Sequence, residues 1–335
     1  MSSQFISDTF DALVCRKSEA GVQSRIETLT LEHLSVGEVV MRTRYAGVNF
    51  KDCLAVTGRA KIIAGFPRIA GIEAVGEVLS SSDARFVPGD AVLVHGFQTG
   101  IAYDGGFCAR MRVPAAHLQK LPMGLSPLEV AAIGVPGFTV AMALERFEAN
   151  GLRRDSGPIA VSGATGAVGM LAISILARAG YQVAAITRRP AQADTLRELG
   201  ATEIIDAEAT RSAKPLEAGR FAAAIDNVGG ATLSWLLRSL HDSGQLASVG
   251  NAAGNTYEGS VLPFILRQVQ VFGIVANAPW PQRLRLWDRL AGDWRPDLGL
   301  LRIHRIGLAD LPAHAERQAS GAALGRTLVD FGDPS

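Results

Sequence analysis

Apolar positions follow two different patterns on either side of Ser126. From Phe10 to about Pro122, glycine and proline separate short β-rich runs, namely DALVC, GEVVMRTRYAG, GIEAVGEVL, DAVLVHG and FCARMRV. From Pro158 onward, helix-patterned segments alternate with the strand-like runs PIAVSG, YQVAAIT, TEIIDA, FAAAIDNVGG, GQLASVG and VQVFGIVA. This alternation is typical of a parallel sheet covered by helices on both faces. We predict an α/β protein with a mainly-β part and a doubly wound part.

Local signals mark where the pattern changes. Ser126 is a suitable N-cap, with proline at the first helical position and Glu129 in the first turn, so a helix is predicted to begin there. After Ala276 we predict a helical stretch around Leu284 to Leu290. A last strand, GRTLVDF, can return to the first domain.

Composition narrows the function to small-molecule chemistry. The chain has 335 residues, of which 48% are hydrophobic, and its 33 Lys and Arg balance 32 Asp and Glu. The net charge of +1 does not favour binding to nucleic acid or to an anionic membrane surface, so we predict neither as a partner. Three cysteines without metal-binding spacing, and an N-terminus that lacks a signal-like core, lead us to expect a cytoplasmic protein.

A glycine turn between a strand and an apolar helix is the clearest chemical signal. Its sequence is A-x-G-x-x-G from Ala164 to Gly169, in which Gly166 permits close approach of a diphosphate and Gly169 permits helix-strand packing. The amides and dipole at the start of the helix favour phosphate. We predict a dinucleotide site that includes Ser162, Ala164, Thr165, Gly166, Ala167 and Val168. The alternative is an ordinary strand-helix turn.

The end of the next strand indicates which dinucleotide binds. Enzymes that use NAD place a carboxylate there to hold the ribose 2′-hydroxyl, whereas this chain has Thr187-Arg188-Arg189. Arginine forms charge-assisted bonds with phosphate, so Thr187 and Arg188 predict NADPH. The alternative is a solvated turn before Pro190.

Several longer segments carry a family resemblance. They are Gly47 to Asp52 with Val56-Thr57-Gly58, Phe66-Pro67 through Gly71-Ile72, Asp83 to Phe86, Gly137-Phe138-Thr139, Gly163 to Gly169, Val228-Gly229-Gly230, Leu262 to Arg267, and Gly325 to Val329. Together they resemble the zinc-independent branch of the medium-chain dehydrogenase/reductase superfamily, and within it the quinone-oxidoreductase-like acrylyl-CoA reductase group.

The resemblance implies a domain organisation and an assembly. Residues 1–126, completed by 277–335, would form a GroES-like catalytic domain, and residues 127–276 a Rossmann NADPH-binding domain. It also implies a homodimer, in which strands near Val269 to Ala276 pair across subunits.

The resemblance also implies that no metal is bound. The zinc branch has a cysteine at the position of Asn49 and a histidine at the position of Ile72. Glu73 alone cannot make a tetrahedral site.

The same resemblance implies hydride transfer to the β-carbon of an activated double bond and a proton to the α-carbon, with hydrogen bonds to the carbonyl oxygen. We predict Asn49 as the leading catalytic residue, with Asp52 and Tyr103 as second choices. The alternatives are a turn residue for Asn49, a helix cap or ion pair for Asp52, and a packing aromatic for Tyr103.

Three departures from the family bear on these assignments. Phe50 stands where the family commonly has tyrosine, Ala102 to Gly106 replaces a His-Trp-Gly-Gly pattern, and Asn277 to Trp280 replaces a Ser-Val-Met run. The substrate pocket is therefore expected to differ.

Further cofactor contacts follow from the resemblance and from the binding of ligands at strand ends in doubly wound folds. The predicted residues are Thr139, Asn227, Val228, Gly250, Asn251, Ala276 and Arg326. For Arg326 the alternative is a lone arginine in a terminal strand.

Three functions are compatible with these observations. The first is an NADPH-dependent reductase of acrylyl-CoA or a related activated alkene. The second is a reductase of quinones, enals or enones. The third is an NADPH-binding sensor or structural protein without catalysis.

Overall fold

The computed structural model describes residues 9–212 and 214–332. The chain forms two compact units. Unit 1 contains the chain up to Val135 together with the chain from Ile303 onward, and unit 2 contains Pro136–Arg302.

Unit 1 is mainly β. Its elements are β1 (Thr9–Ser18), β2 (Gly21–Thr30), β3 (Val39–Val48), α1 (Phe50–Val56), β4 (Arg68–Ile69), β5 (Glu73–Ser81), β6 (Ala91–His95), β7 (Arg110–Val113), β8 (Leu118–Lys120), the first part of α2 (Pro127–Ala149), β15 (Ile303–Ile306), α8 (Leu311–Ala319) and β16 (Arg326–Asp330). One sheet has the order β2-β1-β4; a second has the order β15-β16-β3-β5-β6-β8, with β7 also paired to β3. The antiparallel pairing of β16 with β3 joins the C-terminal strand to the first half of the chain, as the sequence predicts.

Unit 2 is a doubly wound parallel sheet. Its elements are the second part of α2, then β9 (Ile159–Val161), α3 (Ala167–Arg178), β10 (Val183–Thr187), α4 (Ala193–Glu198), β11 (Glu203–Asp206), β12 (Phe221–Asp226), α5 (Gly230–Ser239), β13 (Leu240–Ser248), α6 (Leu262–Arg267), β14 (Gln270–Gly273) and α7 (Trp280–Ala291). The strand order is β11-β10-β9-β12-β13-β14, and every pair is parallel. All six predicted strands are confirmed. The α/β fold class, with its Rossmann sheet and mainly-β GroES-like unit, is confirmed as well.

The domain boundaries differ from those expected. Residues 277–302 belong to unit 2, not to the mainly-β unit that 277–335 was expected to complete. The cause is α7, whose Trp287 is buried and stacks on Phe138, and whose Arg285 pairs with Glu145 of α2. Burial of this aromatic face holds the segment against the Rossmann unit, so the chain returns to unit 1 at Ile303 rather than at Asn277.

Helix α2 begins where Ser126 predicts it, because Ser126 and Glu129 exchange capping hydrogen bonds. Within the described residues, it is the one helix long and apolar enough to span a membrane. However, 78% of its most apolar window is buried inside the protein, which is typical of a core helix. Gly134 interrupts it with non-helical angles, φ 45° and ψ −153°.

Candidate functional site

The predicted phosphate-binding turn lies between β9 and α3. Gly163 has a left-handed φ of +61°, Gly166 is the N-cap of α3, and the helix begins at Ala167. A Cβ on Gly169 would lie 2.3 Å from the carbonyl oxygen of Gly163, so only glycine permits this approach. The first-turn amides of a helix have no partner within it, and they can therefore donate to an anion here.

Two residues of the turn are engaged with the protein itself. The buried Ser162 Oγ donates to Asp226 Oδ1 at 2.6 Å, so this hydroxyl is directed at the protein interior. Thr165 Oγ1 accepts a hydrogen bond from Arg189 Nη1 at 3.2 Å. Ser162 and Thr165 therefore hold the turn in place, and any cofactor contact by their side chains stays a prediction.

The two arginines after β10 lie in different environments. Arg188 is exposed, whereas Arg189 is half-buried and reaches back to the phosphate-binding turn. Burial, followed by the charge of Arg188, lowers the pKa of Arg189. The hydroxyl of the buried Thr187 accepts the backbone N–H of Arg189 at 3.0 Å. An anion bound here would relieve the repulsion between two adjacent cations, which fits a 2′-phosphate.

The loops after β12 and β13 lie side by side. A Cβ on Gly250 would lie 2.6 Å from the carbonyl oxygen of Asn227, and Ala253 N donates to the carbonyl oxygen of Val228 at 2.8 Å. Residues of these loops line a cavity of about 120 Å³, among them Gly229, Gly250, Asn251 and Tyr257. The structure thus brings together the predicted residues Asn227, Val228, Gly250 and Asn251. Of the other two predicted in unit 2, Thr139 is buried in α2, and Ala276 is half-buried three residues beyond β14.

In unit 1, the side chain of Asn49 forms hydrogen bonds with several neighbouring residues. It is the N-cap of α1, and its Nδ2 donates to Glu73 Oε1 at 2.7 Å and to Asp52 Oδ2 at 3.1 Å. Asp52 also accepts the backbone N–H groups of Asn49 and Ile72, each at 2.9 Å. Both amide hydrogens of Asn49 thus face carboxylates. This geometry favours the structural alternatives, a turn residue for Asn49 and a helix cap for Asp52, and the catalytic roles of both stay predictions.

Burial shifts the titration of Asp52. Its side chain is 1% exposed, and desolvation raises the pKa of Asp52 to about 7, with the charge of Glu73 adding to the rise. Hydrogen bonds from Asn49 and Ile72 act in the opposite direction. Asp52 therefore changes charge near neutral pH.

Arg326 lies inside unit 1 in a buried ion pair. Its Nη2 donates to Glu73 Oε1 at 2.7 Å and to the carbonyl oxygen of Ala131 at 2.9 Å, while Val135 N donates to Glu73 Oε2 at 2.7 Å. Gly134 provides the room, because a Cβ there would lie 2.3 Å from Glu73 Oε2. These contacts favour the structural alternative for Arg326, and its predicted contact with cofactor stays a prediction.

Tyr103 lies on a loop that is firmly anchored. The carboxylate of its neighbour Asp104 accepts from Ser35 N at 2.7 Å, from Ile69 N at 3.1 Å and from Arg68 Nη1 at 3.2 Å. The Tyr103 ring packs edge-on against His117, 5.1 Å between centroids. The loop gives Tyr103 a defined position in unit 1.

Two residues that matter to this geometry are absent from the predicted site: Glu73 and Asp226. Asp226 ends a fully apolar run, and a carboxylate at that position is a signal that could have identified it. Glu73 carries no local signal, because its partner Arg326 is 253 residues away in the sequence.

A glycine turn on a doubly wound sheet, followed by arginines after the second strand, is typical of an oxidoreductase that uses a nicotinamide dinucleotide. Family models match twice: an alcohol dehydrogenase GroES-like domain over residues 35–123 and a zinc-binding dehydrogenase domain over residues 167–291. The chain is 38% identical to the acrylyl-CoA reductase AcuI of Ruegeria pomeroyi, over 96% of this chain and 99% of that protein. This chain belongs to the medium-chain dehydrogenase/reductase superfamily, as the resemblance implies.

Two further proteins refine this assignment. The chain is 36% identical to the putative quinone oxidoreductase YhfP of Bacillus subtilis, over 97% of this chain and 99% of that protein. The crystal structure of Escherichia coli K-12 YhdH with bound NADPH has a TM-score of 0.92 at 34% identity, covering 96% of this chain and 100% of that one. The protein is an NADPH-dependent oxidoreductase, so the non-catalytic alternative is not retained.

The side chains present do not fit the zinc that the name of one family domain implies. Asn49 and Ile72 stand where the zinc branch has ligands, and both oxygens of Glu73 already accept hydrogen bonds. Within residues 9–212 and 214–332, no group of three His, Cys, Asp or Glu could hold a metal ion. NADPH does fit, because the glycine-only approach and the arginine pair suit a diphosphate and a 2′-phosphate.

Arg188→Ala should raise the KM for NADPH about tenfold and change the KM for NADH less than twofold, because only NADPH carries the 2′-phosphate. The measurement is steady-state kinetics with each cofactor. Arg153→Ala, which removes an exposed arginine paired with Asp155, is the control and should alter neither constant. Equal changes in both KM values for Arg188→Ala would contradict the assignment.

Asp52→Asn should change the pH dependence of stability. Because the folded pKa of Asp52 is raised, its contribution to stability is present at low pH and is lost as the pH rises toward about 7. The stability of the wild type relative to Asp52→Asn should fall by at most ~1.4 kcal/mol per pH unit between pH 5 and 7, and then level off. Urea unfolding of both proteins across this range measures it. A constant difference would show that Asp52 stays ionised.

Proposed function

We propose that this protein reduces the activated carbon-carbon double bond of an α,β-unsaturated thioester such as acrylyl-CoA. The observation that carries the proposal is its end-to-end similarity, at 38% identity, to a protein named as an acrylyl-CoA reductase. The phosphate-binding turn and the arginine pair support it, because they suit the reductant that this reaction needs.

NADPH, when bound, supplies hydride to the β-carbon of the double bond. The residues of this chain must then hold the alkene, donate a hydrogen bond to the thioester carbonyl oxygen and provide a proton for the α-carbon. The amide hydrogens of Asn49 are directed at Glu73 and Asp52. We therefore assign both the hydrogen bond to the carbonyl oxygen and the proton for the α-carbon to the Tyr103 hydroxyl. Asp104 supports this role by anchoring the loop, so that the phenol keeps one position.

A quinone is the second candidate substrate, favoured by two observations. One is the 36% identity to a putative quinone oxidoreductase. The other is a half-buried aromatic cluster, in which the ring of Phe97 stacks on His117 with centroids 4.7 Å apart and Tyr103 packs against the same histidine. Planar rings pack well on such surfaces.

The homodimer expected from the family has support in unit 2. Strand β14 is the edge of the parallel sheet, and an unpaired edge can extend across subunits. Large apolar side chains are exposed on it and beside it, namely Ile265, Leu266, Val271 and Val275. A cytoplasmic location is consistent with the three cysteines, all buried and free.

Tyr103→Phe should lower kcat with acrylyl-CoA about 100-fold, because it removes a proton donor. Oxidation of NADPH is followed with acrylyl-CoA, crotonyl-CoA, a naphthoquinone and an enone. Tyr45→Phe is the matched control, because Tyr45 lies on β3 with its ring under Arg305. Its kcat should stay within twofold of the wild type.

Turnover confined to the naphthoquinone would replace the thioester with the second candidate. If kcat of Tyr103→Phe with acrylyl-CoA equals that of the wild type, Tyr103 is not the proton donor. No turnover with any acceptor, despite binding of NADPH, would contradict a reductase of either kind.

A further inference from the structure

A buried carboxylate joins the ends of two strands in unit 2. Asp226, the last residue of β12, is fully buried, and its Oδ1 accepts the hydroxyl of Ser162 at 2.6 Å. Ser162 follows directly after β9 and is itself fully buried. The side-chain contact thus ties the end of β12 to the residue that opens the phosphate-binding turn.

The same carboxylate holds the loop on its other side. Asp226 Oδ2 accepts the N–H of Gly229 at 2.9 Å, and Oδ1 accepts the N–H of Val228 at 3.2 Å. The backbone oxygen of Asp226 accepts the N–H groups of Val249 and Gly250, which follow β13, at 2.8 and 3.1 Å. One residue therefore contacts three segments at this edge of the sheet, those that follow β9, β12 and β13.

The Ser162 hydroxyl connects the Asp226 carboxylate to the backbone of Asn227. Its Oγ donates to Asp226 and accepts from Asn227 N at 2.8 Å, and its carbonyl oxygen accepts from Asn227 Nδ2 at 2.7 Å. A hydroxyl can donate and accept at once, which alanine cannot replace. The positions of the turn and of the loop after β12 are therefore linked through one serine.

The arrangement is costly for stability alone. The carboxylate is held by a hydroxyl and backbone N–H groups rather than by a cation, and burial raises the pKa of Asp226. A carboxylate buried without a cation costs free energy that an apolar residue would avoid, which favours a role other than stability.

We propose that Asp226 is a positioning residue for NADPH, acting through Ser162 on the phosphate-binding turn and through Val228 and Gly229 on the loop after β12. The inference rests on the binding of NADPH to this turn. Asp226 fixes the position of the phosphate-binding turn relative to the loop after β12. A ligand that contacts both is then bound in a single geometry. Asp226 does not contact the cofactor itself.

Asp226→Asn and Ser162→Ala test the proposal. The asparagine has one acceptor oxygen, so in either orientation its NH2 faces the N–H of Val228 or of Gly229. At least one of these two bonds is therefore lost with little change in volume. Ser162→Ala removes the connecting hydroxyl but leaves the bonds from Val228 and Gly229 to Asp226. Ser174→Ala is the control, because it also removes a buried hydroxyl of unit 2, one that accepts from Asp297 N.

The readout compares two ligands in titration calorimetry on the full chain. NADPH spans the turn and the loop, whereas adenosine 2′,5′-bisphosphate covers only the adenosine end. For Asp226→Asn, the Kd for NADPH should rise about tenfold more than the Kd for the bisphosphate, and Ser162→Ala should show a smaller effect in the same direction. Ser174→Ala should change neither constant.

Equal weakening of both ligands, or unchanged NADPH binding by either variant, would overturn the proposal. If Asp226→Asn does not fold, Ser162→Ala decides the question by the same comparison. Failure of the cofactor assignment is distinguishable, because the wild type would then not bind NADPH at all.

Discussion

The close approach between Gly163 and Gly169 is the contact on which the cofactor site depends. Because neither residue has a side chain, α3 starts directly against the end of β9, and its first amides lie at the carboxyl edge of the sheet. Any larger residue at position 169 would push the helix away from the strand. The predicted cofactor contacts of the arginines after β10 and of the loops after β12 and β13 require this helix start to be in place.

In unit 1, the two predicted catalytic residues at the start of α1 lie around a buried ion pair rather than a glycine turn. Glu73 and Arg326 form a buried pair that also fixes Asn49 and the chain at Gly134 and Val135. Removing one member would leave an uncompensated buried charge, which is far more costly than losing an exposed pair. The amide of Asn49, which the sequence suggests for catalysis, therefore already donates to Glu73 and Asp52. For this reason we propose that the hydrogen-bond donor to the substrate is Tyr103.

Sequence patterns predicted the parallel sheet well, because the strands from β9 to β14 are short strand-like runs that alternate with helix-patterned segments. They missed β2, Gly21–Thr30, in which no residue is fully buried and no apolar signature results. They also missed the extent of unit 2, because the packing of Trp287 on Phe138 depends on residues far apart in the chain. The role of Glu73 was hidden for the same reason, since its partner Arg326 lies 253 residues away in the sequence. Asp226 was missed although a carboxylate at the end of an apolar run could have identified it.

The decisive experiment is a crystal structure of this protein grown with NADPH. We expect the diphosphate oxygens to accept hydrogen bonds from the backbone N–H groups of Ala167 and Val168, with the 2′-phosphate beside Arg188. A diphosphate bound elsewhere on the chain, or clear density for the turn with no nucleotide at saturating concentration, would contradict it.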